Sequence, residues 1–340
     1  MTGTKGQATR RSLLIAGGAL PLFAIRTRPA RAAEFTYKLA TGQDPSHPVN
    51  KRSQEAIDRI REATGGKLEI RLFPSNQLGS DTDLLGQVRN GGVEFFNEAS
   101  SILSTLVPTA GLLNIGFAFS STEQVYHALD GALGKYIQGQ IEKVGLMTAS
   151  PCWANGFREI TSSTKPIRVP ADLAGFKIRV PSSPTLTSLF QALGAGPTPI
   201  NFNELYSALQ TKLVEGQENP LPIIATAKLY EVQQYCSMSN HVWDGYWILA
   251  NRRAMGRLPK DVQEIVIREF TQAGRDERAD IARLTDTLQQ ELTSKGLKFI
   301  EVDRDTFRSD LKKTSYYKEW RGKYGDEAWK LLEDSAGSLT

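Results

Sequence analysis

Phe35-Thr36-Tyr37-Lys38-Leu39-Ala40 and Leu68-Glu69-Ile70-Arg71-Leu72-Phe73 both alternate apolar and polar residues, the two-residue period of a strand with one buried face. Between them, residues 49–64 carry a helical pattern through Ala56, Ile57 and Ile60, and Gly65-Gly66 stops it. Strand, helix, strand implies a parallel pair joined by a crossover helix, the unit of a doubly wound α/β sheet. Outward from this unit, residues 81–90 read as the next helix and 93–96 as the next strand. Its continuation, Asn97-Glu98-Ala99-Ser100-Ser101, is small and polar. It reads either as a plain loop or as the carboxyl end of a strand, where open α/β sheets bind ligands.

A second α/β unit follows. Residues 145–150 end in Pro151-Cys152-Trp153-Ala154-Asn155-Gly156, whose small and turn-forming residues mark a crossing between units, and residues 157–163 begin the next one. Helices are predicted over 182–193, over 203–212 with Asn203 as N-cap, and over 222–229. A long helix over 259–295, a strand over 297–301 and helices within 303–332 complete the chain.

The first residues read as an export signal. Thr9-Arg10-Arg11-Ser12-Leu13-Leu14 is a paired-arginine start, the apolar run 13–25 is too short to cross a bilayer, and Ala30-Arg31-Ala32-Ala33 offers a cleavage position. Twin arginines favour the route for folded proteins, although two arginines also occur in ordinary basic leaders. Residues 1–33 hold six of the 41 basic residues and no acid, which leaves 35 basic against 37 acidic, or −2 instead of +4. Balanced, scattered charge gives no basic face for nucleic acid. With no other long apolar run, the expectation is a periplasmic protein that does not itself span the membrane, working as a monomer.

Cys152 and Cys236 are the only thiols, and they are either bridged or separately buried. His47, His127 and His241 are widely spaced and neither cysteine belongs to a zinc-type pair, so no metal and no cofactor is expected. Single Gly175 and Gly194 make no phosphate loop.

Asp172-Leu173-Ala174-Gly175-Phe176-Lys177-Ile178-Arg179-Val180-Pro181 is a turn followed by a short strand ending at proline. A guanidinium at the end of a rigid strand can grip a carboxylate through two parallel hydrogen bonds. Alternation, however, puts Phe176, Ile178 and Val180 on one face and Lys177 with Arg179 on the other, which by itself reads as solvated.

The order of Asn155-Gly156-Phe157-Arg158, Lys177-Ile178-Arg179-Val180-Pro181, Leu193-Gly194-Ala195 with Pro197-Thr198-Pro199, and Gly216-Gln217-Glu218-Asn219-Pro220 resembles the DctP-type solute-binding proteins of TRAP (tripartite ATP-independent periplasmic) transporters. Lys228-Leu229-Tyr230-Glu231-Val232-Gln233 and Ser239-Asn240-His241 extend the resemblance. It implies a two-lobe periplasmic binding protein fold with a ligand cleft between the lobes and a long helix spanning both. Lobe I would be 34–155 plus 244–283, and lobe II 156–243 plus 284–340, after a signal peptide over 1–33. It also implies that Arg179 binds a ligand carboxylate, with Asn219 and Arg158 beside it.

Closure driven by ligand requires contacts from both lobes. Lobe I candidates are Asp81, Asn97, Glu98 and Ser100, with the sequence near Gln43. Trp153, Phe202 and Trp243 could surround the cleft or serve as core, and with no second cation evident they favour an aromatic or apolar hydroxy or keto monocarboxylate. The implied partners are a small carboxylate and the membrane permease subunits. The alternatives are an exported enzyme acting on carboxylic acids, for which no nucleophile and base pair is visible, and a receptor feeding a sensor kinase.

Overall fold

The computed structural model describes residues 1–4 and 33–339; the paired arginines and most of the signal segment lie outside the described residues. In chain order the strands are β1 (Phe35–Thr41), β2 (Leu68–Phe73), β3 (Phe95–Ala99), β4 (Leu146–Thr148), β5 (Trp153–Phe157), β6 (Glu159–Ser162), β7 (Lys177–Val180), β8 (Gly196–Pro199), β9 (Gly216–Asn219), β10 (Tyr235–Met238), β11 (Trp243–Asn251) and β12 (Lys298–Glu301). They form two sheets, ordered β2-β1-β3-β11-β4 with β5 also on β11, and β12-β10-β6-β9-β7-β8.

The opening pattern sets the first sheet. In β2, Leu68 and Ile70 are buried while Glu69 and Arg71 pair on the other face at 2.8 Å. β1 runs parallel to β2 from Phe35 opposite Leu68 to Ala40 opposite Phe73. The crossover helix Pro48–Ala63 starts on a proline whose missing N–H costs nothing there, with the His47 ring accepting from the Val49 N–H. It buries Val49, Ala56, Ile57 and Ile60, and the chain leaves it through Gly65 and Gly66 at positive φ. The helix Asp81–Asn90 spans the predicted residues, between a Ser80–Asp83 capping box and Gly91 at φ 85°.

The strand expected over 93–96 lies instead at Phe95–Ala99. Asn97, Glu98 and Ala99 are strand and not loop because β11, from far along the chain, pairs antiparallel with all five residues. Helix Phe202–Gln210 begins one residue before the proposed cap Asn203, so Asn201 holds the cap position. The thiols of Cys152 and Cys236 are free and separately buried.

Three segments connect the sheets. The chain passes from β5 in the first to β6 in the second through Arg158, and returns from β10 to β11 through residues 239–242. The third is the helix Lys260–Ser294, whose 35 residues span about 52 Å. Its Val262, Val266, Phe270 and Ala273 enter the core behind the first sheet, and Leu288 and Leu292 enter the core of the second half. At Gly274 it presses on Trp153 so closely that a Cβ would stand 2.5 Å from the indole nitrogen. After β12 joins the second sheet, the helix Asp326–Ala336 packs back against the helices Thr122–Asp130 and Ala132–Lys143, where the Gln124 amide donates to the Ser335 carbonyl at 2.8 Å. Among the described residues no helix is long and apolar enough to cross a membrane.

Candidate ligand-binding site

Between the two sheets lies a narrow cavity of about 30 Å³, walled by residues from both. The first half supplies Gln43 after β1, Asp81 at the start of its helix, Glu98 on β3, and Tyr246 on β11. The second supplies Arg179 on β7, Phe202, and Asn219 at the end of β9, while Arg158 sits in the crossing. These are strand ends and helix starts, where backbone geometry brings side chains together without burying them in a core.

Arg179 does not lie on a solvated face. Lys177 is exposed, as alternation predicts, but Arg179 is 1% exposed. Its strand is interior to the sheet, between β8 and β9, and its side chain bends to the following segment, where Nε and Nη2 donate to the Ile200 carbonyl at 2.8 and 2.6 Å. Among the described residues no ion pair engages this guanidinium. Burial therefore pulls its pKa down to about 10, with the more distant Glu218 charge only partly opposing the fall.

Arg158 is held in the opposite way. Its Nε donates to Glu218 Oε2 at 2.5 Å, and its Nη2 donates to Glu218 Oε1 at 2.8 Å and Asn219 Oδ1 at 3.1 Å. Nη1 reaches Asp244 at 3.4 Å. Its neighbour Glu159 is turned away by strand alternation and accepts from the Asn240 N–H at 2.9 Å. Glu218 also meets His241 Nε2 at 3.1 Å, and Ser239 Oγ lies 2.8 Å from His241 Nδ1. Burial opposes ionisation of Glu218, but the Arg158 charge and the His241 contact outweigh it and hold the carboxyl at about 2. Burial also lowers the His241 pKa, so the ring is neutral and donates through Nε2. Asn219 is clamped too, with Nδ2 donating to Gln217 Oε1 at 2.5 Å. Arg158 thus positions Asn219 as much as it faces the cavity.

The wall from the first half carries unsatisfied groups. Gln43 Oε1, Tyr246 Oη and Asn155 Oδ1 are buried and have no hydrogen-bond partner among the described residues. Glu98 accepts from the Ala99 N–H, and burial together with the Asp81 charge pushes its pKa well above the usual carboxylate range, so it can also donate. Asp81 accepts from Asn76 at 2.7 Å and, across the cleft, from the Phe202 N–H at 3.3 Å. Beside it the Asn201 amide donates to Thr82 Oγ1 at 3.2 Å. These two contacts fasten one half to the other.

Six of the ten candidate residues therefore meet at the cavity: Arg158, Arg179, Asn219, Phe202, Asp81 and Glu98. The other four do not line it. Asn97 is buried within β3, Ser100 bridges the Gly245 carbonyl and the Trp247 indole, and Trp153 donates to Ser150 beneath the long helix. Trp243 lines a different cavity, edge to face with Tyr126. The tryptophans are large enough to be read either as core or as cleft, and only their packing separates the two. Asn155 and Tyr246 were not among the candidates. Asn155 lies inside the quoted stretch Asn155-Gly156-Phe157-Arg158 and Tyr246 three residues after Trp243, but neither carries a charge to single it out. Asp244 is not free to take a ligand hydroxyl, because Ser101, Arg158 and the Gly245 N–H already occupy it.

The family model "Bacterial extracellular solute-binding protein, family 7" matches residues 39–321. The chain is 33% identical over 308 residues to an uncharacterized protein of Sinorhizobium fredii, covering 89% of this chain and 56% of that one. It is 30% identical over 301 residues to the 2,3-diketo-L-gulonate-binding periplasmic protein YiaO of Escherichia coli, covering 88% and 90%. Among solved structures it is similar to the sugar acid binding protein DctPAm of Advenella mimigardefordensis in complex with galactonate, with 28% identity, a TM-score of 0.86, and 91% and 100% of the two chains covered. The ordered motifs, the two sheets about a cleft and these matches agree: the chain belongs to family 7 of the bacterial extracellular solute-binding proteins, the solute-binding proteins of TRAP transporters.

Proposed function

We propose that this protein captures a hydroxylated sugar acid, a monocarboxylate of aldonate type, in the periplasm and delivers it unchanged to a membrane permease. The observation that carries this reading is Arg179, a buried guanidinium at the cleft with no anionic partner among the described residues. A ligand carboxylate supplies that partner, in a setting where water competes little. Asn219 adds a neutral amide whose orientation Arg158 and Gln217 fix. Gln43, Asn155, Tyr246 and Glu98 offer the donors and acceptors that several hydroxyl groups require. The preference for an aromatic or apolar acid rested on Trp153, Phe202 and Trp243, of which only Phe202 lines the cleft, and the polar wall supports a hydroxylated ligand instead. The YiaO and DctPAm ligands, 2,3-diketo-L-gulonate and galactonate, are acids of this kind.

Lobe I as 34–155 plus 244–283 and lobe II as 156–243 plus 284–340 remain the proposed moving bodies, with boundaries in β5, in β11 and within the helix Lys260–Ser294; the helix Asp326–Ala336, numbered with lobe II, packs on helices of lobe I. The test is calorimetric titration with galactonate, succinate and mandelate. Galactonate should bind tightest and be recovered intact. Mandelate or succinate binding at least tenfold tighter would overturn the ligand class, and turnover of bound galactonate would overturn the receptor role.

A further inference from the structure

The stretch Phe73-Pro74-Ser75-Asn76-Gln77-Leu78-Gly79 leads from the end of β2 to the helix that begins at Asp81, and none of its residues lines the ligand cleft. Its backbone is nevertheless specialised. Ser75 and Asn76 stand at φ 53° and 56°, in the left-handed region that most side chains avoid and that asparagine tolerates better than most. Both residues are tied to the carboxyl end of β1. The Ser75 N–H donates to the Gln43 carbonyl at 2.9 Å, and the Asn76 N–H donates to the Thr41 carbonyl at 3.0 Å.

With its backbone fixed in this way, Asn76 presents its amide to the start of the next helix. Nδ2 donates to Asp81 Oδ1 at 2.7 Å and to the Gly79 carbonyl at 3.2 Å. Asp81 has two carboxylate oxygens, and they are used differently. Asn76 takes Oδ1, on its own side of the cleft, and Oδ2 accepts from the Phe202 N–H on the other side at 3.3 Å. The terminal torsion of an aspartate is broad, so a carboxylate without the first bond has no fixed aim for the second. The neighbouring helix-start residues do not supply that bond, because Ser80 and Asp83 cap each other. Gly42 completes the seat: a Cβ there would stand 2.8 Å from Asp81 Oδ1 and 3.1 Å from Asn76 Oδ1.

We propose that Asn76 is a positioning residue of the receptor, which holds Asp81 Oδ1 so that Oδ2 stays on the Phe202 N–H, and thereby sets how fast a captured ligand leaves. It acts through Asp81 and touches neither the cavity nor the second half of the molecule. The contact it supports exists only while the halves are together. Association starts from the parted state, in which that contact is absent, so the effect falls on release and not on capture. The kinetic part rests on the carboxylate-receptor reading; the hold on Asp81 does not.

Asn76→Gly removes the amide and keeps a backbone that accepts positive φ. In stopped-flow measurements with galactonate, its dissociation rate should be at least threefold above wild type, with the association rate within twofold. Asp81→Ala removes the carboxylate at a helical position that suits alanine. In that background Asn76→Gly should change the dissociation rate by less than twofold, whereas a residue that only stabilised the loop would add its full effect again. An unchanged dissociation rate in Asn76→Gly, or equal acceleration in both backgrounds, would overturn the proposal. The second readout is the side-chain amide protons of Asn76 in the ligand-free protein, assigned by their loss in Asn76→Gly. They should exchange slowly in the wild type and faster in Asp81→Ala, and identical exchange in the two would overturn the hold on Asp81. If galactonate does not bind at all, the receptor reading fails, and the amide signals still decide that hold.

Discussion

Replacing Arg179 by methionine should abolish ligand capture without weakening the empty protein. Burial lowers the Arg179 pKa from 12.5 to about 10, so holding it charged in place costs roughly 3 kcal/mol at 1.36 kcal/mol per pKa unit. Methionine removes that cost and keeps most of the apolar stem. It also leaves the Ile200 carbonyl, which accepts both guanidinium bonds, without its donor, a loss of about 1 to 3 kcal/mol. The two contributions nearly offset, so the empty variant should lie between equal stability and about 2 kcal/mol above the wild type. Galactonate loses its charged partner in a desolvated site, and about 3 to 5 kcal/mol of binding with it, more than a hundredfold in Kd. Urea unfolding reads the first quantity and calorimetry the second. A variant that unfolds more than 2 kcal/mol more easily would show that Arg179 is a structural residue. One that binds galactonate normally would remove it from ligand capture.

The clamp around Arg158 should respond in the reverse sense. Glu218→Gln leaves a buried guanidinium short of its main counter-charge, and a loss of about 3 to 5 kcal/mol in urea unfolding is expected; a loss below 1 kcal/mol would contradict the pairing described. The same pair sets acid sensitivity. The Glu218 pKa is depressed from 4.5 to about 2 in the folded state, so its contribution is fully present above pH 4.5 and is lost as pH falls through 2. Denaturation followed from pH 6 to pH 2 should show this loss in the wild type and a flatter profile in Glu218→Gln, and identical profiles would refute it. Asp81→Asn keeps an oxygen at the cross-cleft contact but weakens its charge-assisted bond to the Phe202 N–H, so galactonate Kd should rise about five- to tenfold, by 1 to 1.4 kcal/mol; an unchanged Kd would show that this contact does not hold the halves together.

Local chemistry made several helices legible, though not Thr122–Asp130 or Ala132–Lys143, for which no helix was expected. The Ser80 to Gly91 signals delimit their helix, and the long helix was visible over 259–295 against an observed Lys260–Ser294. What stayed hidden depends on residues far apart in the chain. The polar stretch Asn97 to Ala99 is strand because β11 lies beside it. The partner of Arg158 is not adjacent Glu159 but Glu218, 60 positions away. Arg179 gave the plainest case. Its alternation with Lys177 is real, yet the two differ in exposure because one end of the strand reaches solvent and the other meets the opposite half of the molecule. The ordered motifs shared with the family pointed to Arg179 where periodicity did not. No pattern in the sequence separated Trp153 and Trp243, as core and second cavity, from rings in the cleft.

A cleft of about 30 Å³ has room for roughly one water molecule, far less than a six-carbon acid occupies. Entry and exit must therefore pass through a state in which Asp81 has left Phe202 and Thr82 has left Asn201. The residence time of a captured ligand is then set by how often the halves part, not by the strength of any one contact with Arg179. For a carrier that hands its cargo to another protein, the decisive quantity becomes a rate. A docking partner that pries these two fastenings apart would speed release without touching the ligand.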